Sequence, residues 1–449
     1  MKWWILSGAF GWLIRILTMG AEPVTISMEV ALRLADAKNL SIELARERVR
    51  EARSQLDQDR RQLFPWVAPG VGYRRHDGHL QDIVGDVFDA SKQSGTAALT
   101  LQAQVDLGDS LYKLLATKQS VLAGQASESV QRRETALAVA LAYTELSRAT
   151  AAVSATEEAK GVSARLVAQV AEAVSAGLAF SGEVQRAQVQ HERNESQRLR
   201  ALEARRVASG RLAQLLRLPP GDELRPDLSE FVPVNLVSTN QALETLVSSA
   251  LRLRPELRRT QALAGAAKAK RDGVAKGPWI PTLGAQAAFG GLAGGRNGDF
   301  RNADDFQDYG LGLSWRVGPG GIGDRSRIQV ADARLRIALL EQEKTRENVV
   351  REVVELKTRA DTAAGQLTVA ERMLQSATRL LELTQGRKEF GVGAILEAIE
   401  SERDWAQAQA EHLRAIADYN RIQWEFWQAT GQEQGLGLPS VITQDGRTH

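Results

Sequence analysis

Glu397 and Glu400 stand one helical turn apart in a segment of helical composition, so their carboxylates share a face. In a symmetric oligomer copies of both would gather around one axis, and rings of carboxylates at a narrow pore favour cations. On an exposed helix the same pair is a solvated acidic face. Gly318-Pro-Gly320-Gly-Ile-Gly323 matches the dinucleotide fingerprint GxGxxG between a strand-like segment and a helix. The helix behind it runs for about 65 residues, whereas a nucleotide-binding βαβ unit totals about 30, and no second strand ending in a ribose-binding acid follows. It is read as a Gly-rich connection. His76 and His79, with Asp77 and Asp82 nearby, are read as a polar loop, since no further ligands complete a metal site. His191, His412 and His449 carry no motif, and neither HExxH, GxSxG nor a phosphate loop occurs. Zero cysteines remove disulfides, thiolate metal sites, Cys nucleophiles and a lipidated N-terminal Cys. These residues make no case for an enzyme and imply neither cofactor nor metal.

The composition narrows the class further. Across 449 residues, 57 Lys and Arg face 55 Asp and Glu, a net +2 that lacks the basic patch of a nucleic-acid binder. A hydrophobic fraction of 43% is too high for a disordered chain. No apolar run in the body of the chain reaches the roughly 18–20 residues of a membrane helix. Lys2, the apolar stretch Trp3 to Ile14 and the small Ala21 predict a secretory signal peptide over residues 1–21; uncleaved, the same segment would be an anchor. Either reading implies export.

The elements that must position these residues follow a duplicated plan. Residues 27–62 read as one helix, stopped by Pro65 and Pro69. Strand-like segments near 67–75 and 96–105 follow, then a long helix from Ser110 to about Ser175, a turn over 177–182, and a helix from Glu183 to Leu216. The second half repeats this: a helix over 241–276, strands near 282–290 and 309–317, a helix over 324–388, a turn over 391–393 and a helix to Thr430. Ala35 and Ala250, Pro65 and Pro281, Gly177 and Gly391, and Arg217 and Gly431 recur at an offset of about 215 residues, as a tandem duplication requires. The expected organisation is therefore a first repeat over 22–240, a second over 241–431 and a tail over 432–449.

The helix from Asp324 carries a heptad-like seam: Ile328, Ala331, Leu335, Ala338, Gln342, Thr345 and Val349, then after a stutter Val353, Leu356, Ala360, Ala363, Leu367, Ala370, Leu374, Ala377 and Leu381. A second apolar row, with Val330, Ile337, Val350, Val354, Val369, Met373 and Leu380, gives it another packing side, as in a cylinder of helices. The strand pairs have the length of tilted membrane β-strands, yet a membrane barrel needs about eight or more, so several chains must share one barrel. Trp66, Trp279 and Trp315 fall at one edge of the strand layer, where an aromatic girdle or plain junction packing would place them.

Together these features resemble the TolC family of outer-membrane efflux proteins. The resemblance covers almost the whole chain after the signal segment. It rests chiefly on the two turns, Ala176-Gly-Leu-Ala-Phe-Ser-Gly-Glu183 and Phe390-Gly-Val-Gly-Ala-Ile-Leu-Glu397, with Leu313-Ser-Trp-Arg-Val-Gly-Pro-Gly-Gly321 and Arg217-Leu-Pro-Pro-Gly221 in support. It implies a mainly α fold with a small β part. As a homotrimer this would form a 12-stranded outer-membrane β-barrel continued by a periplasmic α-helical barrel. It further implies an exit duct of a tripartite efflux pump or type I secretion system, embedded in outer-membrane lipid. Gly177, Leu178, Gly391 and Gly393 would form tips that dock a periplasmic adaptor, itself coupled to an inner-membrane transporter. Glu397, Glu400 and Glu183 would be gate acids. Some relatives place an Arg where Gly393 stands, so that closed-state latch does not carry over; Arg387, Lys388 and Arg403 are the nearby cations. The competing reading, a coiled-coil scaffold of the cell envelope without a pore, accounts for the heptads but not the strand pairs.

Overall fold

The computed structural model describes residues 24–219, 223–296, 299–300, 302–385 and 392–432. The chain runs β1 (Val24–Ile26), α1 (Met28–Lys38), α2 (Leu40–Arg61), β2 (Trp66–Gln81), β3 (Val87–Asp106), α3 (Leu107–Ser175) and α4 (Ser181–Leu216). It continues β4 (Leu224–Pro226), α5 (Leu243–Leu253), α6 (Pro255–Lys276), β5 (Thr282–Arg296), β6 (Asn302–Ser314), α7 (Arg325–Gln385) and α8 (Val392–Thr430). At 1.5 Å per residue, α3 with 69 residues is about 100 Å long and α7 with 61 about 90 Å.

The four long strands form one antiparallel sheet in the order β2-β3-β5-β6, with β2 and β6 as its edges. They run to 16, 20, 15 and 13 residues, beyond the expected bounds on the hairpin side because polar segments such as Ser91 to Ser94 also pair through their backbones; β6 ends at Ser314, short of the expected 317. His76 and His79 consequently lie within β2, opposite Lys92 and Asp89, and not in a loop. The hairpin turn begins at Asp82, whose side chain accepts from the backbone N–H groups of Val84, Gly85 and Asp86.

Two helices expected to be continuous are broken. Asn39 takes an extended conformation and caps α2 by accepting from Ser41 N at 2.9 Å, which divides residues 27–62 into α1 and α2. Pro255 opens α6 after extended Arg254, dividing the helix expected over 241–276. The sheet passes into α3 without a loop: Asp106 ends β3 and caps the helix by accepting from Asp109 N. Gly108 makes this crossing possible, since a Cβ there would lie 2.1 Å from the carbonyl oxygen of Gly277.

The largest core lies midway along the helices, where α1, α3, α4, α5, α7 and α8 bring together Leu146, Leu212, Leu216, Leu246, Val353 and Phe426. A parallel pair, β1 with β4, closes over it. Tyr143 donates from its hydroxyl to Glu230 Oε2 at 2.6 Å, and Met28 N donates to the same oxygen at 3.0 Å, tying that pair to α3. Along α7 the buried residues are Ala331, Val349, Val353, Leu356, Ala360, Ala363, Leu367, Ala370 and Leu381, all members of the heptad seam. From the second row, Val330, Ile337, Val354, Val369, Met373 and Leu380 remain exposed in the single chain.

Candidate functional site

Strand register sorts the sheet into two chemically different faces. Residues paired across an antiparallel ladder share a face, and successive residues alternate. One face carries Val67, Val71, Leu99, Leu101, Ala287, Phe289, Tyr309, Leu311 and Leu313, linked through Val67↔Leu101↔Ala287↔Tyr309 and Ala285↔Leu311. The other carries Thr96, Thr100, Gln102, Gln104, Gln286 and Asp308, linked through Gln102↔Gln286. The apolar face is exposed, with Leu311 81% and Val71 89% accessible, which no water-facing sheet sustains over so many positions. A sheet that is apolar on one side and hydroxyl- and amide-lined on the other is the wall of a lipid-embedded, water-filled barrel.

At the helical end of this wall, Trp315 follows β6, and its Nε1 donates to the carbonyl oxygen of Trp279 at 3.3 Å. Both indoles are exposed. Trp66 opens β2 opposite Gln102, so its register belongs to the polar face and not to that of Leu101.

The far end of the molecule is a tight α3–α4 turn. Gly177 adopts φ 72° and its N–H donates to Val174 O, while Leu178 N reaches back to Ala173 O at 2.9 Å, so the last carbonyls of α3 are satisfied. Leu178 and Phe180 project into solvent there, 63% and 66% exposed. The counterpart turn between α7 and α8 lies outside the described residues, as do Gly391, Arg387 and Lys388. Gly393 falls in the first turn of α8.

Ile395 and Ala398 pack on Leu166, Val170 and Ala187, which fixes the start of α8 against both helices of the first turn. This leaves Glu397 and Glu400 exposed on the opposite side of α8. Glu400 joins Leu396, Ile399 and Arg403 as one wall of a groove of about 380 Å³, whose other wall on α4 includes Arg186, Val189 and Arg193. Glu183 does not join those acids. It is buried, with Oε1 accepting from Arg186 Nη1 at 3.1 Å and Oε2 without a hydrogen bond. Among the described residues no cluster of His, Cys, Asp and Glu could hold a metal ion.

A sequence profile of the outer membrane efflux protein family matches residues 31–216 and again 246–432. The chain belongs to the outer membrane efflux protein family. The solvent efflux pump outer membrane protein SrpC of Pseudomonas putida is 22% identical over 238 residues, 53% of this chain and 50% of that protein. The alignment thus spans about half the length of that curated relative. Among solved structures, the outer membrane protein VceC of Vibrio cholerae superposes with a TM-score of 0.75 at 18% identity, over 90% of this chain and 96% of that one. The open state of the MtrE channel of Neisseria gonorrhoeae gives 0.68 at 18% identity, over 90% and 88%.

Within this efflux-protein fold, one polar layer had no forerunner among the sequence motifs. Glu402 is 1% exposed in the seam of α8, between Ala398 and Trp405. Its Oε1 accepts from Asn194 Nδ2 of α4 at 2.7 Å, and Asn194 Nδ2 also reaches Ala159 O of α3 at 3.3 Å. Gln190 Nε2 donates to Asn194 Oδ1 at 3.3 Å. Burial pushes the Glu402 carboxyl above its ordinary range, against the lowering effect of its amide partners. The signal was present in the spacing: Ile395, Ala398, Glu402 and Trp405 step by three and four. The Gly318–Gly323 segment is a connection, with positive φ at Gly318, Gly320 and Gly323 and Gly320 N donating to Asp324 Oδ2.

Proposed function

We propose that this chain is the outer-membrane exit channel of a tripartite efflux pump, working as a homotrimer. Its four strands are one third of a 12-stranded barrel, and its long helices are one third of a periplasmic tunnel. The observation that carries this reading is the division of the sheet into an apolar and a polar face, with two free edges. A second copy offers the natural partner for those edges, and for the exposed apolar row of α7. Small-molecule efflux is favoured over protein export because the curated relatives are named as solvent and toluene efflux pump proteins.

In this reading the chain has no catalytic cycle and conducts passively, energy coming from an inner-membrane transporter through a periplasmic adaptor. Exposed Leu178 and Gly177 of the first turn, with Gly391 and Gly393 of the second repeat, form the adaptor-docking tips. Glu397 and Glu400 form the acidic rings of the gate, with buried Glu183 bracing the first turn through Arg186. Trp279 and Trp315 sit at the periplasmic interface of the outer membrane, with Trp66 turned toward the lumen side of the same rim. The two repeats span 22–240 and 241–431, preceded by the export signal and followed by the tail.

The test is reconstitution. Purified protein should migrate as a heat-modifiable trimer, fractionate with outer membranes and form channels in planar bilayers. A soluble monomer or dimer without conductance would return the chain to the scaffold reading.

A further inference from the structure

The seam of α8 is apolar at Ile395, Ala398 and Trp405, and Glu402 interrupts it at a site where α3, α4 and α8 meet. Asn194 is the hinge pin of that site, because the same amide nitrogen spans Ala159 O on α3 and Glu402 Oε1 on α8. Glu402 Oε2 is buried and makes no hydrogen bond; the Gln190 amide lies close enough to favour the charged form, but its nitrogen donates to Asn194 Oδ1. An ionised carboxylate distributes its charge over both oxygens and needs donors at each; the neutral acid leaves one uncharged hydroxyl without a partner, a much smaller cost than a buried charge.

No cation compensates the group among the described residues. The ionisable groups on turns level with it are His191, Glu192, Arg193 and Glu195 on α4, Glu158 and Lys160 on α3, Arg379 and Glu382 on α7, and Arg403 and Asp404 on α8 itself. Lys160 is paired with Glu195 at 2.9 Å, Arg379 with Glu382 at 3.8 Å and Arg403 with Asp404 at 3.6 Å. Glu158 accepts from Gln409, and His191 Nδ1 shares a hydrogen bond with Ser163 Oγ. Glu192 accepts from Gln188, and Arg193 lines the groove beside Glu400 and Arg403; among the described residues none of these groups hydrogen-bonds or ion-pairs with Glu402.

We propose that Glu402 is a proton-binding site that locks α8 onto α3 and α4: protonated, it completes the packed layer, and releasing its proton to water as pH rises weakens that packing. The sign follows from linkage. A buried acid whose proton affinity is raised binds more protons in the packed state than in the opened one, so packing is strongest at acid pH. It is lost progressively from the ordinary carboxylate range up to the raised value. The packed layer lies beside the start of α8, so the lock couples ambient acidity to the packing of the helices near the α3–α4 turn whatever the chain transports.

Amide hydrogen exchange on the full-length protein tests this. Protection of the α8 amides around 395–408 is compared at about pH 5 and about pH 8, after division by the intrinsic exchange rate, with α2 as internal reference. Wild-type protection should fall by about tenfold per pH unit across the titration interval. Glu402→Gln, which keeps the uncharged shape, should be flat. Glu402→Leu, which continues the apolar seam, should also be flat and serves if the glutamine variant does not assemble. A flat wild-type profile overturns the proposal, and so does a pH dependence that persists in the variants, which would belong to His191 or to the exposed acids.

Discussion

An arginine placed at Leu101 gives the sharpest test of the membrane reading, because register fixes both its face and its depth. Leu101 lies opposite Val67 and Ala287 on the apolar face. The apolar alternation on β3 runs from Ala97 to Val105, so Leu101 is its midpoint. Eight residue steps of about 3.3 Å, tilted by about 40°, span about 20 Å of membrane normal, close to the apolar band of about 25 Å in such barrels. Leu101 is therefore near the midplane, where a lipid-facing Arg costs about 2–4 kcal/mol. That is about thirtyfold to a thousandfold in the folding equilibrium. Leu313, at the rim of the same face, should cost about 0–1 kcal/mol. Thr100→Arg, one residue away but on the polar face opposite Ala288, should fold almost as well as wild type. Folding into vesicles, followed by urea titration and by yield of heat-modifiable oligomer, would read the series. Equal damage at Thr100 and Leu101, or none at Leu101, would refute the assignment of faces.

Gly177→Val should leave a folded oligomer but depress efflux, scored as intracellular accumulation of substrate. The φ of 72° costs a branched residue about 1–2 kcal/mol, while its Cβ meets nothing within 4 Å, so only the turn is disturbed; Gly177→Asn should retain activity. Glu397→Gln with Glu400→Gln should keep the oligomer and weaken cation selectivity and divalent block in single-channel recordings; unchanged values would make both a solvated face. Arg254 is 7% exposed and bridges Glu256 at 2.9 Å and Glu352. Its replacement by Ala strands Glu256 and should cost about 3–5 kcal/mol, visible as a lower unfolding midpoint. An unchanged midpoint would mean that water replaces the guanidinium.

What could be read from the chain, and what could not, divides by physical cause. The seam of α7 was legible because helix packing repeats with a fixed period over 61 residues, and its buried positions are those of the heptad. The strands were legible only where side chains alternate. Their outer parts, such as His76 opposite Lys92, pair through backbone groups that leave no compositional trace. The breaks at Asn39 and Arg254 were missed because one extended residue within a helical composition is a matter of capping, settled by tertiary contacts. Three-residue strands like β1 are too short to alternate. Near the helical turns, Glu397 and Glu400 were singled out from their one-turn spacing, but the same spacing cannot tell an exposed acid from one in the seam. Glu402 was thus overlooked and the burial of Glu183 unforeseen.

The free edges bear on assembly more directly than any side chain. Within lipid each unpaired backbone group costs several kcal/mol, so β2 and β6 must find partners, and four strands are too few to curl back on themselves. In the sheet order β2-β3-β5-β6 the two edges are three strand spacings apart, about 14 Å, so no disulfide can join them within one chain. The sequence has no cysteine, so engineered pairs are unambiguous reporters. One cysteine on β2, scanned over Ala68, Gly70 and Gly72, and another on β6 at Gly310 or Gly312 lie on one face of the sheet. A head-to-tail ring brings β6 of one copy beside β2 of the next, and such a ring closes after a fixed number of copies. Oxidation in outer membranes should then give a covalent species three chains in size that shifts no further with added oxidant. A ladder of ever larger products would mean an open assembly, and absence of any crosslink across the register scan would mean that the edges meet something other than each other.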